Sequence, residues 1–271
     1  MAPPAASAAR EASTAPTPCG ELGCALYDTP EAAFAAVLRE APLVLAVGEA
    51  HAQKDTTVAS STRRFTELFL PLLKGRASDL LVELMLPPAG CKKQEDAVRT
   101  EQKQVTQQQA ATNQNEYVTL GDTARKLGVI PDALRPSCSD LDLIASAGDE
   151  SIFEMLAAVE RLTAAQTKAL LAKSASRSDA RMVVTYGGAM HNDVAPREGR
   201  ARFSYASDLT AATSGRYVEL DLFVPEFVSD TETWRSFEWY AHYDRQTMGA
   251  KTALFRPRSG SYVLLFPVTA R

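Results

Sequence analysis

Two of the three histidines in this chain share a local pattern that points to chemistry. His51 closes Gly48-Glu49-Ala50-His51 and His191 closes Gly188-Ala189-Met190-His191, so each follows a glycine by three positions. With glycine at about one residue in twenty, chance gives two of three histidines that spacing with a probability of roughly 1%. Imidazoles beside carboxylates either ligate Mn, Fe, Co or Zn with positions left open for water, or act without metal as base and acid on a bound water. The carboxylates at hand are Glu49, within the first motif, and Glu83, within the apolar run DLLVELML. A charge in such a run is costly unless it is paired, hydrogen-bonded or bound to metal. The candidate catalytic set is therefore Glu49, His51, Glu83 and His191, with His51, Glu83 and His191 as the candidate metal ligands.

Each glycine permits a sharp turn off a strand end, with positive φ if required, and lets a ligand approach the backbone. Gly48 and Gly188, with Tyr186 just ahead of the second motif, are the candidate cofactor-contacting positions. A single histidine at a strand end is more often a satisfied polar residue than a catalyst; the matched pair together with Glu83 reverses that preference. His242, in EWYAHYDRQ, lacks such company and reads as a helical or surface residue. Asp140 and Asp142 read as helix caps ahead of a further carboxylate at the crevice. No G-x-S-x-G elbow is present, and nothing places a base against Cys138, so serine and cysteine nucleophiles are not supported.

The elements that must position these groups alternate between strand and helix. Thr29-Pro30-Glu31 predicts a helix start, Leu43 to Val47 a buried strand, residues 55 to 74 a helix, and Asp79 to Met85 a second strand. If that second strand neighbours the first, Glu83 faces Glu49 and His51. Lys92 to Leu127 is helical in tendency but very polar, a solvated helix or lid capped by Gly128. A strand is expected at roughly Ala133 to Ser139, helices at about 149 to 162 and 163 to 174, and strands at Met182 to Tyr186 and Arg216 to Val224. A terminal hairpin turned by Arg258-Ser259-Gly260 follows. The pattern predicts an α/β fold: a mostly parallel, doubly wound sheet with helices on both faces and a C-terminal antiparallel hairpin. In such sheets the ligand crevice lies beyond the carboxyl ends of the strands, where both motifs fall.

Composition narrows the function classes. At 271 residues, 45% hydrophobic, 23% charged and net charge −4, the chain has no basic stripe that would mark a nucleic-acid partner. No apolar run reaches bilayer-spanning length, which predicts a soluble chain. Residues 1 to 25 read as a disordered Ala/Pro-rich tether bearing the Cys19/Cys24 loop, and 26 to 271 as a single domain with a polar helical segment at about 92 to 127. No signal peptide is recognisable, yet such tethers are common directly behind lipoprotein or secretion signals. That suits an extracytoplasmic location, in the periplasm or at the outer membrane, with membrane tethering through a removed lipoprotein signal. Cys19 with Cys24 and Cys91 with Cys138 suit two disulfides, the other reading being four unpaired thiols; neither pair has the spacing of a structural zinc site.

The motif order, GEAH after one strand, VELM at the next and GGAMHN after a late one, resembles the superfamily of the erythromycin esterases, the ChaN-like haem-associated lipoproteins and the TraB/TIKI proteins with paired G-x-x-H motifs. The resemblance runs over about residues 40 to 195, with Val224-Pro225-Glu226 a less specific part. It implies a doubly wound α/β core whose crevice holds Glu49, His51, Glu83 and His191. In the esterase branch these would activate water against an ester, and in the TIKI-like branch they would bind a divalent metal for peptide hydrolysis. The ChaN-like branch implies haem or iron binding without catalysis, haem being held by Tyr or His. Ala52 and Gln53 depart from the continuation of the GE-x-H-D-N pattern, and the long helical insertion of macrolide esterases is not evident. The expectation is a hydrolase acting on a small-molecule or peptide substrate, with a haem- or iron-binding protein as the other reading.

Overall fold

The computed structural model describes residues 15–176 and 180–269; most of the expected tether, residues 1–14, lies outside them. The described part of that segment already belongs to the sheet. Strand β1 (Thr17–Pro18) pairs antiparallel with β2 (Ala25–Tyr27), and a Cys19–Cys24 disulfide closes the loop between them. Helix α1 (Pro30–Val37) starts as its residues dictate: Thr29 accepts the Ala32 N–H, Pro30 takes the first position, and Phe34 and Val37 are buried.

Strand β3 (Val44–Glu49) is buried along its whole length, as a central strand covered on both faces must be. The next helix, α2 (Ser61–Arg64), begins later than the expected residue 55. Residues 52 to 54 are tied instead to residues 108 to 110, through Ala110 N–H to Ala52 O at 2.8 Å and Lys54 N–H to Gln108 O at 2.9 Å. Ser60 then caps the helix by accepting the Arg63 N–H, and the helix continues through a π turn and a 3₁₀ turn to Leu73. Strand β4 (Ala77–Met85) follows. The polar stretch divides into α3 (Lys92–Thr106) and α4 (Asn113–Lys126), with Gly128 in positive φ just beyond.

Strand β5 (Ile130–Leu134) sits upstream of the expected 133 to 139, because Pro136 and a capping box between Ser137 and Asp140 already open α5 (Cys138–Ser146). Asp140 is thus a cap, and a Cys91–Cys138 disulfide staples α3 to α5. The two helices expected at 149 to 174 are one, α6 (Ser151–Ala175), since no Gly or Pro interrupts it. Then come β6 (Met182–Gly188), α7 (Ala206–Ala212), β7 (Tyr217–Phe223), the short α8 (Glu232–Arg235) and α9 (Arg245–Met248), and the hairpin β8 (Thr252–Arg258) and β9 (Ser261–Leu265) turned at Gly260.

Among the described residues nine strands form one mixed sheet in the order β1-β2-β8-β9-β7-β3-β6-β4-β5. Strands β9, β7, β3, β6, β4 and β5 run parallel; β8, β2 and β1 extend the sheet antiparallel. Side chains alternate between two buried faces. Leu45, Val47, Leu80, Val82, Val184 and Leu220 pack with Phe34, Phe65, Phe69 and Leu120. On the other face Val44, Ala46 and Tyr217 pack with Tyr205 and Leu209, and Leu81 and Val183 with Val159 and Leu162 of α6. One expectation about order is corrected: β4 does not neighbour β3, because β6 lies between them.

Candidate functional site

Strands β3 and β6 pair in parallel with Gly48 opposite Gly187 and Glu49 opposite Gly188. His51 and His191 therefore leave the same edge of the sheet, the carboxyl ends of adjacent strands. Glu83 stands on the far side of β6, yet its carboxylate reaches the histidines because Gly187 has no side chain. A Cβ there would lie 2.1 Å from Glu83 Oε2 and 2.7 Å from its Cβ. Laid across this gap, Glu83 Oε2 accepts the Gly188 N–H at 2.7 Å. That bond supplies the partner that a carboxylate in an apolar strand requires.

Above Gly188 the groups converge. The point where a Cβ of Gly188 would stand is 3.6 Å from His51 Nε2, 3.8 Å from Glu83 Oε2 and 3.9 Å from His191 Cδ2. Glu83 Oε1 is 3.8 Å from His191 Nε2, beyond the distance of a direct hydrogen bond. Gly188 thus faces an opening bounded by two imidazoles and a carboxylate, at the strand ends where parallel sheets place ligands. Neither Gly48, Gly187 nor Gly188 adopts positive φ; what each site requires is the missing side chain, not a left-handed turn.

Glu49 sits behind His51. It is only 4% exposed and its carboxylate accepts four hydrogen bonds: His51 Nδ1–H at 2.9 Å and Tyr117 O–H at 3.0 Å on Oε1, Thr62 O–H at 2.8 Å and Tyr186 O–H at 2.9 Å on Oε2. With Nδ1 held in this way, Nε2 is the nitrogen that faces Gly188, an orienting arrangement typical of carboxylate–imidazole pairs. Burial lowers the His51 pKa, but the Glu49 hydrogen bond and the charges of Glu49 and Glu83 outweigh it, so the imidazole stands above its ordinary 6.5. The Tyr117 and Tyr186 phenols are pushed well above 10, by burial first and by Glu49 second for each, and remain neutral donors.

His191 is 3% exposed and its Nδ1–H donates to Phe203 O at 2.7 Å. That contact selects the tautomer whose Nε2 lone pair faces Glu83. Its main chain is fixed as well, through His191 N–H to Gly188 O and Tyr205 N–H to His191 O, both 3.0 Å. Next to it Asn192 is fully buried, and its Nδ2 donates to Asp221 Oδ1 at 2.9 Å and Ala46 O at 3.2 Å. Asp221 and Glu219 point inward from β7. Burial, then the charge of Glu219, pushes Asp221 well above the usual carboxylate range; burial, then Asp193, raises Glu219 to about 7.

Two expected cofactor contacts are placed differently. The Tyr186 hydroxyl is spent on Glu49, and its ring packs on Phe65 and Tyr117, so it does not face the opening as a haem ligand would. Gly48 faces the opposite side of β3. A Cβ there would meet Asp221 Oδ1 at 2.5 Å and both Asn192 Oδ1 and the Ala189 Cα at 2.6 Å. The glycine of the first motif thus makes room for the turn of the second. His242 lies in a 3₁₀ turn (Tyr240–His242), 3.9 Å from the exposed Glu21 and away from the crevice. Asp142 lies 3.5 Å from Gln94 Nε2 on the helical layer.

His51, Glu83 and His191 are donors of the types that hold Mn, Fe, Co or Zn, and both histidines have Nδ1 tied to an acceptor, as ligating histidines do. Among the described residues, however, no three His, Cys, Asp or Glu side chains are grouped to hold one ion. As placed, the set does not fit a metal. A cavity of about 180 Å³ lined by Ala52, Thr56, Ser60, Thr112 and Glu116 adjoins the loop that carries His51.

Reasoning from sequence did not find Thr62, Tyr117, Asn192 or Asp221. Asp221 and Glu219 carried the same signal as Glu83, a carboxylate inside an apolar strand, YVELDLF. No family model, curated protein or solved structure matches the chain.

Proposed function

We propose that the chain is a hydrolase that activates water over Gly188 for attack on an ester or peptide bond. The observation that carries this reading is the approach of His51 Nε2, Glu83 Oε2 and the His191 ring to within 3.6–3.9 Å of one point. A water held beyond that point, in the space between the two imidazoles and the carboxylate, comes within reach of His51 Nε2 as general base, with Glu49 holding the ring and stabilising the imidazolium that forms. Glu83 accepts the second water hydrogen and lies near enough to steady charge on either imidazole. The proton that His51 takes from the water is then returned by the His51 imidazolium to the leaving oxygen or nitrogen as its bond breaks, while His191, held through Nδ1–H on Phe203 O, turns Nε2 toward the crevice beside Glu83.

The parallel core is read, in the same proposal, as a doubly wound sheet whose crevice lies where the chain turns from β3 outward to β4 and later back to β6 and β7. The superfamily of the erythromycin esterases and TIKI-like proteins implies the same four positions. Two disulfides suit an oxidising, extracytoplasmic compartment; among the described residues no helix is long and apolar enough to cross a membrane.

A panel of aryl and alkyl esters and short peptides, assayed with wild type, His51→Gln, Glu83→Gln and His191→Gln, tests the reading. Hydrolysis by wild type, lowered at least about 100-fold by His51→Gln, is expected, since positioned acid–base groups contribute roughly 10²–10⁴. Hydrolysis that survives all three substitutions would sink it. Elemental analysis of the same preparations decides whether a divalent metal accompanies the protein.

A further inference from the structure

We infer that Asp221 is a positioning residue for His191, acting through the side chain of Asn192; the inference rests on the reading that places His191 in the hydrolytic crevice. Asp221 does not touch the crevice. It is buried within β7 beside Glu219, where a carboxyl group is expensive, and among the described residues the side chain it hydrogen-bonds is the amide of Asn192. Asn192 follows His191 directly, and through it the turn is tied to two strands: Nδ2 to Asp221 on β7 and to Ala46 O on β3, and its carbonyl to the Tyr217 hydroxyl at 2.7 Å.

Gly48 completes the clamp. Asp221 Oδ1, Asn192 Oδ1 and the Ala189 Cα all enter the space that a side chain at position 48 would fill. With the residue after it fixed in three directions, His191 keeps its ring where Nδ1–H meets Phe203 O, and Nε2 keeps its lone pair toward Glu83. Without Asp221, the Asn192 amide retains a single acceptor on β3 and is free to turn about it. The ring then loses the constraint that selects its tautomer.

Two-bond ¹H–¹⁵N spectra of ¹⁵N-histidine-labelled protein test this at pH 8, where neutral imidazoles report their tautomers. The three histidines are assigned with His51→Gln and His242→Gln. Wild type is expected to show His191 almost wholly as the Nδ1–H form. In Asp221→Ala that form is expected to fall below about half, with the His51 signals unmoved; Asp221→Asn, which keeps an acceptor oxygen for Asn192, is expected to restore it. Asn192→Ala removes the relay from the other side and is expected to repeat the loss, so the inference stays testable if Asp221→Ala unfolds. A His191 tautomer unchanged in Asn192→Ala, or lost equally in Asp221→Asn, overturns it. Because the spectra need no substrate, a tautomer response without hydrolysis on any panel substrate would remove the hydrolase reading and leave the positioning role standing.

Discussion

Replacing Glu49 with Gln removes an acceptor from a carboxylate that receives four hydrogen bonds. Whichever way the amide is placed, its NH₂ faces two donors: His51 and Tyr117 on one side, or Thr62 and Tyr186 on the other. A buried donor left without an acceptor costs about 1–3 kcal/mol, and hydroxyl rotation recovers part of that for the phenols and Thr62. The net loss of stability is therefore expected at about 3 kcal/mol in urea unfolding at pH 7. The same variant carries a signed electrostatic consequence. Burial pulls the His51 pKa down, while Glu49, through its hydrogen bond and charge, and then Glu83 pull it up past 6.5. With Glu49 neutral, burial is opposed by Glu83 alone, and the pKa is expected to drop below 6.5 in an NMR titration. In wild type a raised folded pKa means that His51 contributes stability present below pH 6.5 and lost as pH rises through its folded value. In Glu49→Gln that contribution reverses, the depressed pKa favouring the folded state at higher pH. A His51 pKa that stays put or rises, or a stability change under about 0.5 kcal/mol, would refute the reasoning.

Other consequences follow from the same geometry. Gly187→Ala places a methyl 2.1 Å from Glu83 Oε2; it is expected to expel that carboxylate and cut hydrolysis at least about 100-fold, read as kcat/KM. Gly48→Ala meets Asp221, Asn192 and the Ala189 backbone at 2.5–2.6 Å and is expected to cost about 1–3 kcal/mol of overpacking in urea melts. Glu219, raised from 4.5 to about 7 by burial first, has stability that is full below pH 4.5 and falls as pH rises through about 7. Glu219→Gln is therefore expected to equal wild type near pH 4 and to exceed it at pH 8 by on the order of 3 kcal/mol. Replacing Cys91 and Cys138 by Ser opens a cross-link spanning 47 residues, with an expected loss of about 4 kcal/mol on the chain-entropy account, measured by unfolding under non-reducing conditions.

The chemistry-bearing residues were more legible in the sequence than the arrangement around them. His51, Glu83 and His191 stand out because spacing and a charge in an apolar strand are local signals. The order of strands is not local: nothing near Glu83 shows that β6 enters between β3 and β4, and only with β6 there do Gly187 and Gly188 acquire their meaning. In sequence the glycines read as turn formers that also let a ligand approach the backbone, whereas the sheet uses Gly187 and Gly48 as gaps for Glu83, Asp221 and Asn192. Tyr117 looks in sequence like the first apolar residue of an amphipathic helix; only the docking of α4 beside β4 and β5 brings its hydroxyl to Glu49. The start of α2 was misplaced because the loop after β3 takes its hydrogen bonds from a segment more than fifty residues away. Glu219 and Asp221 were within reach, since the rule applied to Glu83 holds equally for YVELDLF.

The central claim, that His51 and Glu83 act as one unit on water over Gly188, is tested most directly by kcat/KM for the best panel substrate in His51→Gln, Glu83→Gln and the double variant. Groups that act together are non-additive. The account predicts that each single substitution loses at least about 100-fold and that the double variant is scarcely worse than either. Losses that multiply, or a double variant that still hydrolyses at the wild-type rate, would contradict it.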